Sequence, residues 1–199
     1  MRRQLYGKLS RVRATTGLTA LIGAAGLVLS GCGSATVHSA APAHGAIASA
    51  FRGSPAKLAA LHVQADRLLG GGPVAFTARL RELRGQPIVV NKWASWCGPC
   101  QTEFPAFQRA SVALGRTVAF IGIDGKDSDD AAAVFLRRFP VSYPSYLDPS
   151  EAVARTIQAA VYFPQTVYID RQGKQTYDHA GPYLTVAALE RDIRRYALQ

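Results

Sequence analysis

The chain has 199 residues, of which 48% are hydrophobic, and a formal net charge of +10. This length suits one ordinary domain plus a targeting segment, because a compact core usually takes roughly 100–150 residues. Five basic residues precede Cys32 in a stretch without acids, and removing them leaves a net charge of about +5. The remaining basic residues are scattered among acids, without a basic run or an interleaved aromatic patch. The composition therefore argues against a nucleic-acid partner.

The first 31 residues are typical of a secretory signal peptide. Basic residues at positions 2–13 precede an almost uninterrupted apolar run at 18–29 and then the segment Leu29-Ser30-Gly31-Cys32. The run is shorter than the roughly 20 apolar residues of a transmembrane helix. The last four residues resemble a bacterial lipobox, in which the cysteine is diacylated before cleavage. We therefore expect a lipidated Cys32 and an extracytoplasmic protein anchored to the membrane of the cell envelope; an ordinary signal peptide and an uncleaved anchor are the alternatives.

Residues 32–53 are predicted to form a flexible tether. They are mostly Gly, Ser, Ala, Pro and His, with too few large apolar side chains to order themselves. His38 and His44 lie in this segment, and isolated histidines in a flexible segment are more typical of solvated side chains than of metal ligands.

Residues 54–199 are predicted to be the folded domain, beginning with a helical extension. Ser54 and Pro55 suit the N-cap and the first position of a helix that runs to the glycines at 70–72. A second short helix is predicted from Val74 to Leu83. Both helices precede the part of the chain that carries the chemistry.

From residue 87 the pattern indicates a βαβ unit, with a strand at 88–93, a helix at 98–114 and a strand at 117–123. The two strands of such a unit are expected to be parallel. The later predicted elements are helices at 129–139 and 151–160, a strand at 165–170, a turn at 171–174, a strand at 175–180 and a helix at 185–196.

Cys97 and Cys100 are separated by two residues and lie between a predicted strand and a predicted helix. A helix N-terminus favours a thiolate, which makes Cys97 the expected nucleophile and Cys100 the resolving thiol. A zinc site would usually need a second ligand pair, and His62 and His179 are widely separated. A purely structural disulfide would close too small a loop to stabilise the fold much. The pattern favours a redox-active disulfide, with no metal and no other cofactor.

The segment 89–100, VVNKWASWCGPC, resembles the thioredoxin superfamily. The following CQTEFP at 100–105 narrows the resemblance to the TlpA/ResA branch of extracytoplasmic thiol–disulfide oxidoreductases. The resemblance covers roughly residues 75–199. It implies an α/β thioredoxin-like fold, with a central mixed β-sheet flanked by helices.

The resemblance also implies a substrate-docking site around the disulfide. The family proline that matches Pro164 is cis and faces the disulfide, and its neighbouring backbone docks the substrate chain as an added strand. Trp96, Gly98, Pro99 and Phe163 are the other residues expected at this site. Phe163 departs from the smaller or branched residue that is usual before this proline.

Glu103 matches a family carboxylate that handles protons near the disulfide, although an acid on a helix surface would give the same spacing. Asn91 stands where cytoplasmic thioredoxins have a buried aspartate that accepts the proton of the resolving thiol. We therefore expect Glu103 or water to accept the proton of Cys100.

The leading functional prediction is an enzyme that reduces disulfides in exported proteins, for instance apocytochrome c, and is recharged by a membrane electron carrier. The Gly-Pro pair between the cysteines favours this direction, since reducing thioredoxins carry it. The runner-up is an oxidase that donates its disulfide to folding proteins. A peroxiredoxin would need Thr or Ser where Ala94 stands. A copper-binding domain would keep the fold without needing a reactive pair.

Overall fold

The computed structural model describes residues 49–199. The predicted signal peptide, Cys32 and the tether up to residue 48 lie outside this range. The last residues of the predicted tether differ from the expectation, because Phe51 is buried and its ring stacks on that of His62 with centroids 3.5 Å apart. Ordered packing therefore begins before residue 54.

Six strands form one mixed sheet in the order β1-β4-β3-β2-β5-β6. The pairs β1–β4, β4–β3 and β3–β2 are parallel, whereas the pairs β2–β5 and β5–β6 are antiparallel. The strands are β1 (Leu68–Leu69), β2 (Ile88–Trp93), β3 (Ala119–Gly125), β4 (Ser145–Asp148), β5 (Gln165–Ile169) and β6 (Gln175–Ala180). The expected parallel pairing of β2 with β3 is confirmed.

One helix precedes the first strand, and the other helices lie between strands or after the last one. They are α1 (Ala56–His62), α2 (Gly72–Glu82), α3 (Gly98–Leu114), α4 (Asp129–Arg138), α5 (Ala152–Arg155) and α6 (Val186–Asp192), the last continued by a π-helical segment (Ile193–Ala197). In the described range, 49–199, no helix is both long and apolar enough to cross a membrane.

The start and end of α1 differ from the prediction. Ser54 does not cap the helix, because its hydroxyl donates instead to the carbonyl of Phe51 at 2.7 Å, and Pro55 is the N-cap residue. The helix ends at His62 rather than at the glycines. Leu68 belongs to strand β1, which pairs with β4.

The predicted helix at 151–160 is reduced to the single turn of α5. The carboxylate of Asp148 accepts from the backbone amides of Val153 and Ala154 at 2.9 and 2.8 Å, which fixes the start of this turn. Gln158 has a left-handed backbone with φ of 57°, so the helix cannot continue through it. The predicted helix at 185–196 is α-helical only to Asp192.

Two apolar layers cover the two faces of the sheet. One layer contains Trp93, Phe104, Phe107 and Phe135 and holds α3 against the sheet. Phe104 packs edge-to-face on both Trp93 and Phe135, with centroids 5.3 and 4.7 Å apart. This aromatic packing fixes the position of the helix whose N-terminus carries the cysteines.

Candidate active site

The two cysteines form a disulfide at the N-terminus of α3, directly after strand β2. Cys97 is the N-cap residue, and its Sγ accepts from the backbone amide of Cys100 at 3.1 Å. Gly98 and Pro99 form the first turn, where proline fits because the missing N–H would have no helical partner. Cys97 is 4% exposed and Cys100 is fully buried. Cys97 therefore keeps a small exposed area, whereas Cys100 has none.

The loop before the cysteines is tied to the loop after β3. The amide of Ser95 donates to the carboxylate of Asp127 at 2.5 Å, and the indole Nε1 of Trp96 donates to the carbonyl of Lys126 at 2.9 Å. Trp96 remains 57% exposed, in contrast to Trp93, which is fully buried in the core.

The peptide bond between Phe163 and Pro164 is cis, as expected from the resemblance. The carbonyl of Pro164 accepts from the amide of Gly181 at 3.0 Å. The ring of Phe163 lies against that of Trp96, with centroids 4.9 Å apart. The bend before β5 is thus brought against the loop that leads into Cys97.

Glu103 is fully buried, which excludes the alternative of an acid on the helix surface. Its Oε1 accepts from Nδ2 of Asn91 at 2.6 Å, and its Oε2 accepts from the amide of Tyr183 at 3.2 Å. Burial raises the pKa of Glu103 to about 8. The two hydrogen bonds lower the pKa, but their effect is smaller than that of burial. The carboxyl is therefore mostly protonated at neutral pH.

Residues that the sequence analysis did not single out also lie near this end of the sheet. Asp124, at the register position beside Trp93, is 1% exposed. Burial and then repulsion by Asp127 raise the pKa of Asp124 to about 8. Lys92 in β2 is fully buried as well and pairs with Glu151. The sequence did carry a signal for Lys92, because a lysine inside a β-branched run is unusual.

No group of three or more His, Cys, Asp or Glu side chains suited to a metal ion occurs within residues 49–199. His62 is held by the carbonyl of Gly115 at 2.8 Å, and His179 stacks on Tyr183 with ring centroids 4.2 Å apart. Their surroundings are those of packed side chains in this part of the protein.

Comparison with known proteins supplies relatives at moderate identity. The chain is 36% identical over 110 residues to the thiol:disulfide interchange protein DsbE homolog of Paracoccus denitrificans, covering 51% of this chain and 55% of that protein. It is 25% identical over 96 residues to the thiol-disulfide oxidoreductase ResA of Bacillus thuringiensis subsp. konkukian, covering 48% of this chain and 55% of that protein. The chain thus spans about half the length of the curated relatives it matches.

Among solved structures, MTB DsbF, determined in mixed oxidised and reduced forms, aligns with a TM-score of 0.54 and 25% identity. The alignment covers 58% of this chain and 84% of that one. The mixed sheet flanked by helices and the likeness to this solved structure confirm the predicted thioredoxin-like fold class. The AhpC/TSA family model matches residues 72–177, just over half of the chain. The chain therefore belongs to the AhpC/TSA family.

Proposed function

We propose that the chain is an extracytoplasmic thiol–disulfide oxidoreductase that reduces disulfides in exported proteins. The observation that carries this proposal is the Cys97–Cys100 disulfide at the N-terminus of α3, where Cys97 keeps a small exposed area and Cys100 is fully buried. Unpaired amides and the helix dipole at this end stabilise a thiolate, which is the reactive form of cysteine. The names of the ResA and DsbE relatives support the same chemistry.

The reaction proceeds in two exchange steps. In the reduced protein the Cys97 thiolate attacks one sulfur of a substrate disulfide, which forms a mixed disulfide and releases one substrate thiolate. The Cys100 thiolate then attacks Cys97 Sγ, which releases the second substrate thiolate and forms the Cys97–Cys100 disulfide. The substrate gains two electrons and the protein loses two, and a membrane dithiol donor returns the protein to its reduced form.

In the second step the ionised form of Glu103, which is the minority form near neutral pH because its pKa is about 8, accepts the proton of Cys100. It lies one helical turn after Cys100, and both side chains are buried. Its pKa of about 8 is close to the roughly 8.5 of an ordinary cysteine thiol. Proton transfer between groups of matched pKa has little energetic cost, so the buried carboxylate can serve where a cytoplasmic thioredoxin uses aspartate.

The polypeptide substrate docks beside the disulfide, along the bend that contains the cis Phe163–Pro164 bond. We call the surface beside the contacting rings of Phe163 and Trp96 the docking groove, and the two rings its aromatic walls. Gly98 and Pro99 present little side-chain bulk between the cysteines, which lets a substrate chain approach Cys97. The backbone before β5 lies beyond the ladder with β2, whose first pair joins Lys92 to Gln165.

The protein acts outside the cytoplasm while Cys32 anchors it to the membrane through lipid. The support is the order of basic region, apolar run and lipobox in the sequence. Exported proteins, for instance apocytochrome c, are then the accessible substrates, and a membrane electron-transfer partner is the accessible donor.

An insulin-reduction assay with dithiothreitol as the recharging donor tests the proposed activity. The protein should accelerate insulin reduction above the rate with dithiothreitol alone, and Cys97→Ser should return the rate to that background. A parallel Cu(I) titration of the reduced protein addresses the binding alternative. Tight Cu(I) binding without acceleration of insulin reduction would contradict the proposal and favour a copper-binding domain.

A further inference from the structure

Lys92 occupies an unusual place for a lysine. It is the penultimate residue of β2, in the run Ile-Val-Val-Asn-Lys-Trp, and its side chain is fully buried. Its Nζ lies 2.5 Å from Oε1 of Glu151 and 3.8 Å from the centroid of the Phe163 ring. A buried ammonium is thus placed over the face of the residue that precedes the cis proline.

Glu151 connects this lysine to the active-site loop. The carboxylate is buried at the start of α5, and its second oxygen binds Nζ of Lys126 at 2.8 Å. The carbonyl of Lys126 accepts the indole N–H of Trp96, and the Trp96 ring contacts Phe163. We call Lys92, Glu151 and Lys126 the charged brace. The contacts of the charged brace lead from Phe163 through Lys126 to Trp96, and the Trp96 ring in turn contacts Phe163.

Gly125 provides the space in which the brace and Phe163 meet. A Cβ atom at this position would lie 3.0 Å from the Phe163 ring and 3.3 Å from Cε of Lys92. Both side chains therefore pack closely on the backbone at the end of β3. The ring of Phe163 is confined by backbone on one side and by the ammonium on another.

The charge at position 92 is costly if its only role is to fill the core. Burial lowers the pKa of Lys92, and the hydrogen bond with Glu151 offsets part of that effect. Apolar residues of similar volume often replace a buried ion pair with no loss of stability. An apolar pair in place of Lys92 and Glu151 would lack the attraction between a cation and the face of the Phe163 ring.

We infer that Lys92 is a positioning residue that holds Phe163 against Trp96 and thereby sets the affinity of the docking groove for polypeptide disulfides. This inference rests on the proposed function. A small disulfide needs only access to Cys97, whereas a polypeptide must also lie along the aromatic walls. Loss of the ammonium should therefore weaken polypeptide docking more than it slows sulfur exchange.

The test compares Lys92→Met and Lys92→Gln with the unchanged protein. Oxidation of each reduced protein is followed by tryptophan fluorescence in stopped flow, with insulin or cystamine as the disulfide. The half-saturating insulin concentration should rise about 3- to 10-fold, as expected for loss of a partly desolvated cation–π contact. The maximal rate with insulin and the rate constant with cystamine should stay within about twofold. Lys174→Met, an exposed lysine in the β5–β6 turn, is the matched control.

A double-mutant cycle with Phe163→Leu tests the route through the ring. Lys92→Met should add nothing to the half-saturating concentration of the Phe163→Leu protein, because the ring it acts on is gone. Independent, multiplicative effects would overturn the inference. So would unchanged insulin saturation in both Lys92 variants, or an equal loss with insulin and cystamine. If the unchanged protein reacts with neither disulfide, the proposed function itself fails.

Discussion

Replacement of Glu103 by glutamine should change how the stability of the oxidised protein depends on pH. Burial raises the pKa of this carboxyl from 4.5 to about 8 in the folded protein. Between these two values the folded state binds one more proton than the unfolded state, so stability falls as pH rises. The stabilisation that this proton provides is fully present below pH 4.5 and is lost as pH rises through about 8.

The size of this effect follows from the same pKa values. Each pH unit between 4.5 and 8 should remove about 1.4 kcal/mol from the free energy of unfolding, for a total of about 5 kcal/mol. That is a large part of the roughly 5–15 kcal/mol of an ordinary domain. Glutamine does not ionise, so Glu103→Gln should escape the loss. Its amide nitrogen meets an N–H donor from Asn91 or Tyr183, which adds a cost of about 1–3 kcal/mol at every pH.

Urea unfolding of both oxidised proteins, followed by circular dichroism between pH 5 and 9, measures this difference. The glutamine protein should be the less stable at pH 5 and the more stable at pH 9. Glu82→Gln, at an exposed carboxylate on α2, is the control and should differ from the unchanged protein by less than about 1 kcal/mol throughout. Parallel curves for Glu103→Gln and the unchanged protein would refute the idea that burial makes this acid hold its proton.

Three further outcomes are expected. Cys97→Ser should abolish exchange, whereas Cys100→Ser should accumulate mixed disulfides with partners that mass spectrometry can identify; complexes in the Cys97→Ser protein instead would reverse the assigned roles. Cys32→Ser should release the protein from membranes or block its processing in a fractionation experiment, and unchanged membrane association would contradict lipidation. Phe104→Ala should lower the free energy of unfolding in urea by about 3–5 kcal/mol, because Phe104 packs on Trp93 and Phe135; a loss below about 1 kcal/mol would show that this packing matters little.

The sequence predicts the elements around the cysteines best. The bounds of β2 and α3 agree with the prediction because their signals are local: a β-branched run for the strand, and proline in the first turn for the helix. The strand β1 could not be predicted in this way. Leu68–Leu69 is too short to show a period of two and is a strand because it pairs with β4.

The site shows the same division between local and long-range signals. The spacing of Cys97 and Cys100 reveals their chemistry in four residues of sequence. The local sequence does not reveal that Glu103 is buried, because its burial depends on how α3 packs against Asn91 and Tyr183. The buried pair of Lys92 and Glu151 could not be predicted for a similar reason, because the two residues are 59 positions apart in the chain.

The most direct test of the proposed disulfide reductase is the equilibrium reduction potential of the Cys97/Cys100 pair. The oxidised and reduced forms can be quantified by thiol alkylation after equilibration in dithiothreitol redox buffers. A reductase with the Gly-Pro pair between its cysteines should have a potential near about −270 mV, the value typical of thioredoxin. A potential near about −120 mV, which is typical of a strong protein oxidant, would contradict the proposed direction of electron flow.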